Sequence, residues 1–526
     1  MRIVVVPANG EGTEAVTVRC KDDGTAVEAP RQHSDLAGTV RRWEAAESPR
    51  WVWSSTGSIY PRLLDRGVRV LRCHDLASTR SVLNMRDGIT TEPTPEPVDR
   101  REGLFDATPE ENPEDVLTEF TAQRRTIGAL PESDRRRIEL LLAAESAGAL
   151  AAAEMSHDGL PFSSATHLAF LEETLGRRPT GYELPSRIQS AVDRIGSAFG
   201  RRINPASHAE VIDAFRREGI ELESTRAHLL REIDHPAVPL LLEHRDLSKL
   251  YSTNGWNWLE DWVRDNRFRP VYVPSGVVSG RWASRGGGAL QIPKALRKSV
   301  VADPDHTFVI ADAGQLEPRI LAAMSGDPRM VTAAGADDLY APVAAEAFGG
   351  DRAKAKVAIL GVLYGATSGD AKHLLALLRR RFPQAVQYVE RAASAGERGE
   401  VVHSWLGRAC PPVADSWWSH GDARARGRFT RNFVVQATAS EWAGCLLADL
   451  RRRLATESDS ELVFFQHDEV VVHTRSPETA AVHVSEAAES ATRLLFGETK
   501  VRFPMETIER ECYAEPIRPD AEPSTS

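Results

Sequence analysis

The chain has 526 residues, enough for two or more domains with their own cores. It is 42% hydrophobic and 27% charged, as ordinary globular proteins are, and its net charge of −10 does not exclude a polyanionic partner, because Lys and Arg can be gathered in one channel. No apolar run approaches the ~18 residues of a membrane-spanning helix, and the five cysteines (Cys20, Cys73, Cys410, Cys445, Cys512) form no CxxC pair; no membrane association, no zinc site and a reducing, cytoplasmic setting are expected.

The N-terminal MRIVVVPANGEG lacks the features of a signal peptide and reads as a first strand. Residues 1–80 alternate β-rich runs with helical stretches, an α/β pattern. Residues 86–135, rich in Pro, Glu, Thr and Arg, read as a surface loop or linker. From 135 to 265 the periodicity is helical. Strands return at 271–274, at 306–312 and in the hairpin Leu462-Val-Phe-Phe-Gln-His-Asp-Glu-Val-Val-Val-His473, with Asp468 and Glu469 at its expected tip. Amphipathic helices fill the interval between these strands, no internal repeat is visible, and the tail 517–526 is expected to be disordered.

Asp312 ends an apolar strand just before an amphipathic helix. Taken alone it reads as a helix cap, and the hairpin acids as solvated turn residues. Together they allow another reading. Two sheet-borne carboxylates from distant segments can converge on a pair of Mg²⁺ ions, which prefer a few carboxylates, waters and substrate phosphates. A second pattern lies between them. Arg352, Lys356 and Leu360 recur every fourth residue on one helix face, Tyr364 lies one turn on, and Gly365 ends the helix. An ordinary solvated basic edge is one reading. A face for a triphosphate, with a base near the Tyr ring, is the other.

These motifs resemble the bacterial family A DNA polymerases, the DNA polymerase I family. Asp312-Ala-Gly-Gln-Leu-Glu-Pro-Arg319 resembles the family's D-Y-S-Q-I-E-L-R. Arg352, Lys356, Leu360, Gly361, Tyr364 and Gly365 match R-x-x-x-K-x-x-x-F-G-x-x-Y-G, and Gln466-His-Asp-Glu469 matches V-H-D-E. Leu242–Thr253 resembles L-E-Y-R-x-L-x-K-L-x-S-T, and Val278–Ser284 with Leu290-Gln-Ile-Pro293 resembles T-G-R-L-S-S…L-Q-N-I-P. Arg428, Asn432 and Gln436 reproduce R-x-x-x-N-x-x-x-Q, and Leu406-Gly-Arg408 fits the end of the fingers. The likeness covers roughly 140–515 and is nearest to the compact actinobacterial branch labelled bifunctional 3′–5′ exonuclease/DNA polymerase.

The resemblance implies an α/β N-terminal exonuclease-like (ribonuclease H-like) domain over 1–130. It also implies an α+β right-hand polymerase domain over 140–526 with an antiparallel palm sheet: thumb about 185–270, palm about 271–330 and 420–515, fingers about 331–419. Asp312 and Asp468 would hold two Mg²⁺ ions, with Mn²⁺ as a substitute and the Ala313 carbonyl as a further ligand; Glu469 would support them. Arg352 and Lys356 would grip the incoming dNTP, and Lys356 would protonate the leaving pyrophosphate. Gln315, Leu360 and Tyr364 would line the nucleotide site, and Glu317 would exclude a 2′-hydroxyl. Arg281, Gln291, Arg245, Lys249, Arg428, Asn432, Gln436 and His467 would contact primer–template DNA without reading its sequence. A monomeric, cytoplasmic, nucleoid-associated enzyme of repair or gap filling is the expectation. The alternatives are a catalytically weak primer–template-binding relative and a bifunctional enzyme with a working exonuclease.

Leu360 stands where the family has Phe or Tyr, Pro318 where it has Leu, and Tyr340 where His is common. The segment before Arg352 is shorter than the family's. The first strand carries no acid, and Asp75 and Glu145 do not reproduce an exonuclease metal set, so that activity is expected to be absent.

Overall fold

The computed structural model describes residues 2–7, 13–89, 112–181, 183–288, 292–365 and 370–514. Gln291 and the tail 517–526 therefore lie outside the described residues. The chain divides into two compact units: Met1–Gly159 with Val271–Arg285 and Pro304–Glu511, and Leu160–Pro270 with Gly286–Asp303 and Cys512–Ser526.

The first unit begins with strands β1 (Arg2–Pro7), β2 (Ala15–Cys20), β3 (Arg31–His33), β4 (Arg50–Trp53) and β5 (Cys73–Asp75). They form one sheet in the order β3-β2-β1-β4-β5. β1 pairs antiparallel with β2 and parallel with β4. Its unbroken Ile-Val-Val-Val run follows from that central place, because both faces are covered. Ile3 and Val5 pack with Trp51, Trp53 and Tyr60, while Val4 and Val6 pack with Val52 and Phe120.

Phe120 belongs to a helix, Pro113–Gly128, inside the stretch read from composition as loop or linker. The residues explain the difference. Asn112 caps the N-terminus by accepting from Glu114 N, Pro113 stands in the first turn, and Val116, Phe120 and Ile127 make a buried stripe. The helix Glu132–Asp158 follows, packed both on this sheet and on the long helix Ala423–Leu454. Its small residues permit that; the backbone of Gly148 lies close under the Trp282 ring.

The second unit is mainly helical, around Phe199, Val211, Phe215, Leu230 and Leu241. It carries a small sheet of β6 (Leu160–Pro161), β7 (Val263–Arg264) and β8 (Arg267–Phe268). Back in the first unit, β9 (Val271–Val273) pairs with β10 (Ala283–Arg285). Then β11 (Thr307–Ala313), β12 (Ser460–Gln466), β13 (Glu469–Thr474) and β14 (Met505–Arg510) form an antiparallel sheet in the order β12-β13-β11-β14. The helix Pro477–Phe496 packs on this sheet and on Ala423–Leu454. Among the described residues no helix is long and apolar enough to cross a membrane.

Candidate active site at the end of the four-stranded sheet

Asp312 is not a helix cap. It lies within β11, and the helix Leu316–Ser325 begins after Gln315, whose left-handed backbone (φ 60°) makes the bend. The hairpin also differs from expectation in one detail. Its two-residue turn is His467-Asp468, with His467 at φ 58°, so Glu469 is the first residue of β13 and not a tip residue. Register then brings the acids together. Asp312 lies opposite Glu469 on one side and opposite Glu506 of β14 on the other, and Ala313 N donates to Asp468 O at 3.1 Å.

The electrostatics follow from this crowding. Asp468 is half-buried; burial first, and then the charge of Asp312, push its carboxyl up to about 7. Asp312 is raised as well, by partial burial and by Glu506. Two carboxyls that both resist ionising at this end of the sheet fit a divalent cation, which would relieve both. Mg²⁺ takes its remaining oxygens from water and phosphate, so this donor set suits it without a closed protein cage. Among the described residues no group of three or more His, Cys, Asp or Glu side chains forms such a cage.

Around the acids lie two polar networks. Arg281 forms an ion pair with Glu317, and its charge also depresses His467, whose burial is the larger cause. Gln315 donates to Asp338 Oδ1 at 2.7 Å and accepts from Leu339 N at 2.7 Å. Arg352 donates to Asp338 Oδ2 at 2.7 Å, with its guanidinium 5.4 Å from the Tyr340 ring. Burial works against ionised Asp338, but Arg352 and Gln315 hold its carboxyl below the ordinary range. Lys356 and Leu360 continue the Arg352 face along the helix Arg352–Tyr364, which Asp351 caps and Gly365 ends at φ 68°. Lys356 is exposed and Leu360 half-buried. Tyr364 closes the helix, and its side chain lies outside the described residues.

Arg428, Asn432 and Gln436 lie along the helix Ala423–Leu454, exposed, half-buried and half-buried in turn. Arg245 and Lys249 belong to the second unit; Arg245 donates to the Thr225 carbonyl at 2.5 Å, and Lys249 is exposed.

Sequence reasoning missed Asp338 and Glu506. It also gave no role to Arg319, whose buried guanidinium donates to the carbonyls of Gly314, Ala334, Ala336, Asp337 and Arg502. Arg319 thereby ties the turn after Asp312 to the backbone just before Asp338 and before Glu506. Its place at the end of the Asp312–Arg319 motif was the available signal. The N-terminal acids have other partners. Asp75 is buried and accepts from Thr56 N at 2.6 Å and Ser78 N at 2.8 Å. Glu145 accepts from Ser275 and Arg408.

The family model for DNA polymerase family A matches residues 179–507. The chain belongs to DNA polymerase family A. DNA polymerase I of Chloroflexus aurantiacus is 28% identical over 346 residues, covering 57% of this chain and 36% of that protein. The thermostable DNA polymerase I of Thermus filiformis is 30% identical over 294 residues, 49% of this chain and 34% of the relative. The chain thus spans about a third of these family A relatives. The family A fold extends through the structure: it superposes on the POL domain of Pol1 from M. smegmatis, solved in complex with DNA primer-template and dNTP. The TM-score is 0.70 at 18% identity, over 97% of this chain and 95% of that one.

Proposed function

We propose that this chain is a template-directed DNA polymerase that adds dNTPs to a primer 3′-hydroxyl. What carries the reading is one juxtaposition: register sets Asp312 beside the Asp468 hairpin in a chain of DNA polymerase family A. Two divalent ions at Asp312, Asp468 and the Ala313 carbonyl would supply charge stabilisation at the attacking and leaving oxygens. The chain's own residues do the rest. Glu469 and Glu506 flank Asp312 and keep the local field negative. Arg352 and Lys356 present cations to a triphosphate, and Lys356 gives a proton to the departing pyrophosphate. Glu317, held by Arg281, occupies the space a 2′-hydroxyl would need. Leu360 offers the sugar a smaller, non-aromatic contact than the family's ring.

The proposal extends to the domains. The antiparallel sheet is the palm, the segment about 331–419 the fingers and the second unit most of the thumb. The N-terminal sheet, with three antiparallel strands followed by two parallel ones, supports a ribonuclease H-like reading. It has no exonuclease activity in this proposal: β1 carries no acid, Asp75 is spent on backbone amides and Glu145 on Arg408. The enzyme acts as a monomer in the cytoplasm, on gapped or nicked DNA.

Primer extension with Mg²⁺ tests this. Asp468→Asn is expected to lower the extension rate by about a thousandfold or more, as loss of several kcal/mol of charge stabilisation requires, while primer–template binding persists. Normal extension by that variant would overturn the site assignment.

A further inference from the structure

The helix Trp417–His420 precedes the long helix Ala423–Leu454 and carries a side chain that neither the core nor the active site uses. Trp418 is 64% exposed. An exposed tryptophan offers a partner a large, rigid apolar face. This one is held in place. Trp417 lies edge-on to it, 5.1 Å between centroids at 83°. Both rings rest on Gly399, where a Cβ would come within 2.7 Å of Trp418 and 3.1 Å of Trp417. Gly421 gives way to the Trp417 ring in the same manner, with a Cβ site 2.2 Å from it. The loop before the pair is pinned as well: Arg426 donates to the Pro411 carbonyl at 2.5 Å and stacks 4.9 Å from Phe429. Trp418 is therefore fixed as well as exposed, which lowers the entropy lost on binding.

Its surroundings select the partner. Arg424 and Arg428 are exposed and make no ion pair among the described residues, and the first turn of their helix holds no acid. Asp422 is spent on the cap, accepting from Ala425 N at 3.0 Å, and Glu400, beside Gly399, is paired with Arg398 at 2.6 Å; the other acids of the neighbourhood are Asp415 and Glu397, whose side chain lies against Gly427. Arg424, Arg428, Asn432 and Gln436 recur every fourth residue, so they share one helix face. That face runs about 18 Å, from the residues proposed to touch the duplex to the tryptophans. Cations tracking a backbone, with an aromatic ring at their end, suit a single strand whose unstacked bases have free π-faces.

We propose that Trp418, braced by Trp417, is a stacking platform for an unpaired base of the single-stranded template beyond the duplex, with Arg424 on its phosphates. This rests on the polymerase reading and deepens it. The test compares dissociation constants, by anisotropy of labelled DNA, for a blunt duplex and for the same duplex with a 5′ template overhang of roughly ten nucleotides. The wild-type chain is expected to prefer the overhang. Trp418→Ala should lose about fivefold in overhang affinity, the effect of about 1 kcal/mol of stacking, without changing the blunt-duplex value. Trp418→Phe, which keeps a π-face, should retain most of the preference. A wild-type chain indifferent to the overhang overturns the platform, as does an alanine variant that keeps the preference or loses both affinities equally; the polymerase reading survives all three if extension is normal. A wild-type chain that binds neither DNA overturns both readings.

Discussion

At the scale of single residues, Asp338 stands where the candidate nucleotide contacts meet. It accepts from Gln315 and from Tyr340 N, and it holds Arg352. The Arg352–Asp338 pair is exposed on both sides, 56% and 36%, so it contributes at most about 1 kcal/mol to stability. For a triphosphate, however, the pair is a competitor: Arg352 must leave Asp338, or share it with another anion, to grip phosphate. Asp338→Asn keeps an acceptor for Gln315 and Tyr340 while removing the charge. It is expected to lower the KM for dNTP by up to about fivefold, the most a surface pair of this kind can cost, with kcat unchanged. Steady-state single-nucleotide incorporation measures it. A higher KM would mean that Asp338 presents Arg352 instead of restraining it.

At the scale of elements, the helix Ala423–Leu454 carries a buried acid, Glu441, that organises the loop across from it. Its carboxylate accepts from Ser404 Oγ and from Leu406 N, and Ser404 Oγ accepts in turn from Arg408 N at 2.8 Å. Burial pushes the Glu441 carboxyl up to about 7, against the pull of Ser404 and Arg408. Arg408, Glu145, Tyr388 and Cys445 are the charged and titratable groups within its field. A carboxyl raised on folding binds its proton more tightly in the folded chain. Its contribution is therefore complete below the ordinary Glu value and is lost as pH rises toward 7. Stability should fall across that window by at most about 1.4 kcal/mol per pH unit from this group. In Glu441→Gln this component of the slope should vanish, as urea midpoints at several pH values would record. An unchanged slope would remove Glu441 from the account.

The same elements mark what a sequence can disclose. The alternating and unbroken apolar runs of β1, β11, β12 and β13, and the four-residue spacing of Arg352, Lys356 and Leu360, depend on local periodicity and are therefore visible in the chain. So is the Gly365 cap. The helix Pro113–Gly128 was hidden because Pro and Glu weigh toward a loop in composition, whereas at positions 113 and 114 they start a helix. Glu506 and Asp338 were hidden for another reason. Glu506 meets Asp312 only through the pairing of β14 with β11, and Asp338 meets Arg352 only when the intervening helix folds back. No spacing rule connects such residues. The turn at His467-Asp468 was one residue off, because two acids and a histidine all suit a turn and only the register of Gln466 with Glu469 decides among them.

At the scale of the whole first unit, one buried cluster joins the N-terminal sheet domain to the helices behind the four-stranded sheet. Arg451, near the end of the helix Ala423–Leu454, donates to both oxygens of Glu154 at 2.7 Å, to the Leu71 carbonyl at 2.9 Å and to the Val70 carbonyl. Tyr60 donates to Glu154 as well. The Arg451 and Glu154 side chains are only 9% and 10% exposed, so water screens the pair little. Burial opposes the Arg451 charge, but Glu154 more than restores it, and Tyr60 is held well above the ordinary phenol range by burial and the neighbouring carboxylate. Removing Arg451 leaves the buried Glu154 carboxylate with only Tyr60 and, at 3.9 Å, the half-exposed Arg69 as partners. Arg451→Met should therefore cost about 3–5 kcal/mol, whereas Arg451→Met with Glu154→Leu, which replaces both charges by apolar volume, should recover most of that loss. Urea denaturation followed by fluorescence gives the three stabilities. If the single variant were as stable as the wild type, the cluster would be incidental to the joint. If the double variant were no better than the single one, the backbone carbonyls of Val70 and Leu71 would be the partners that matter, and the N-terminal domain would be held through its main chain.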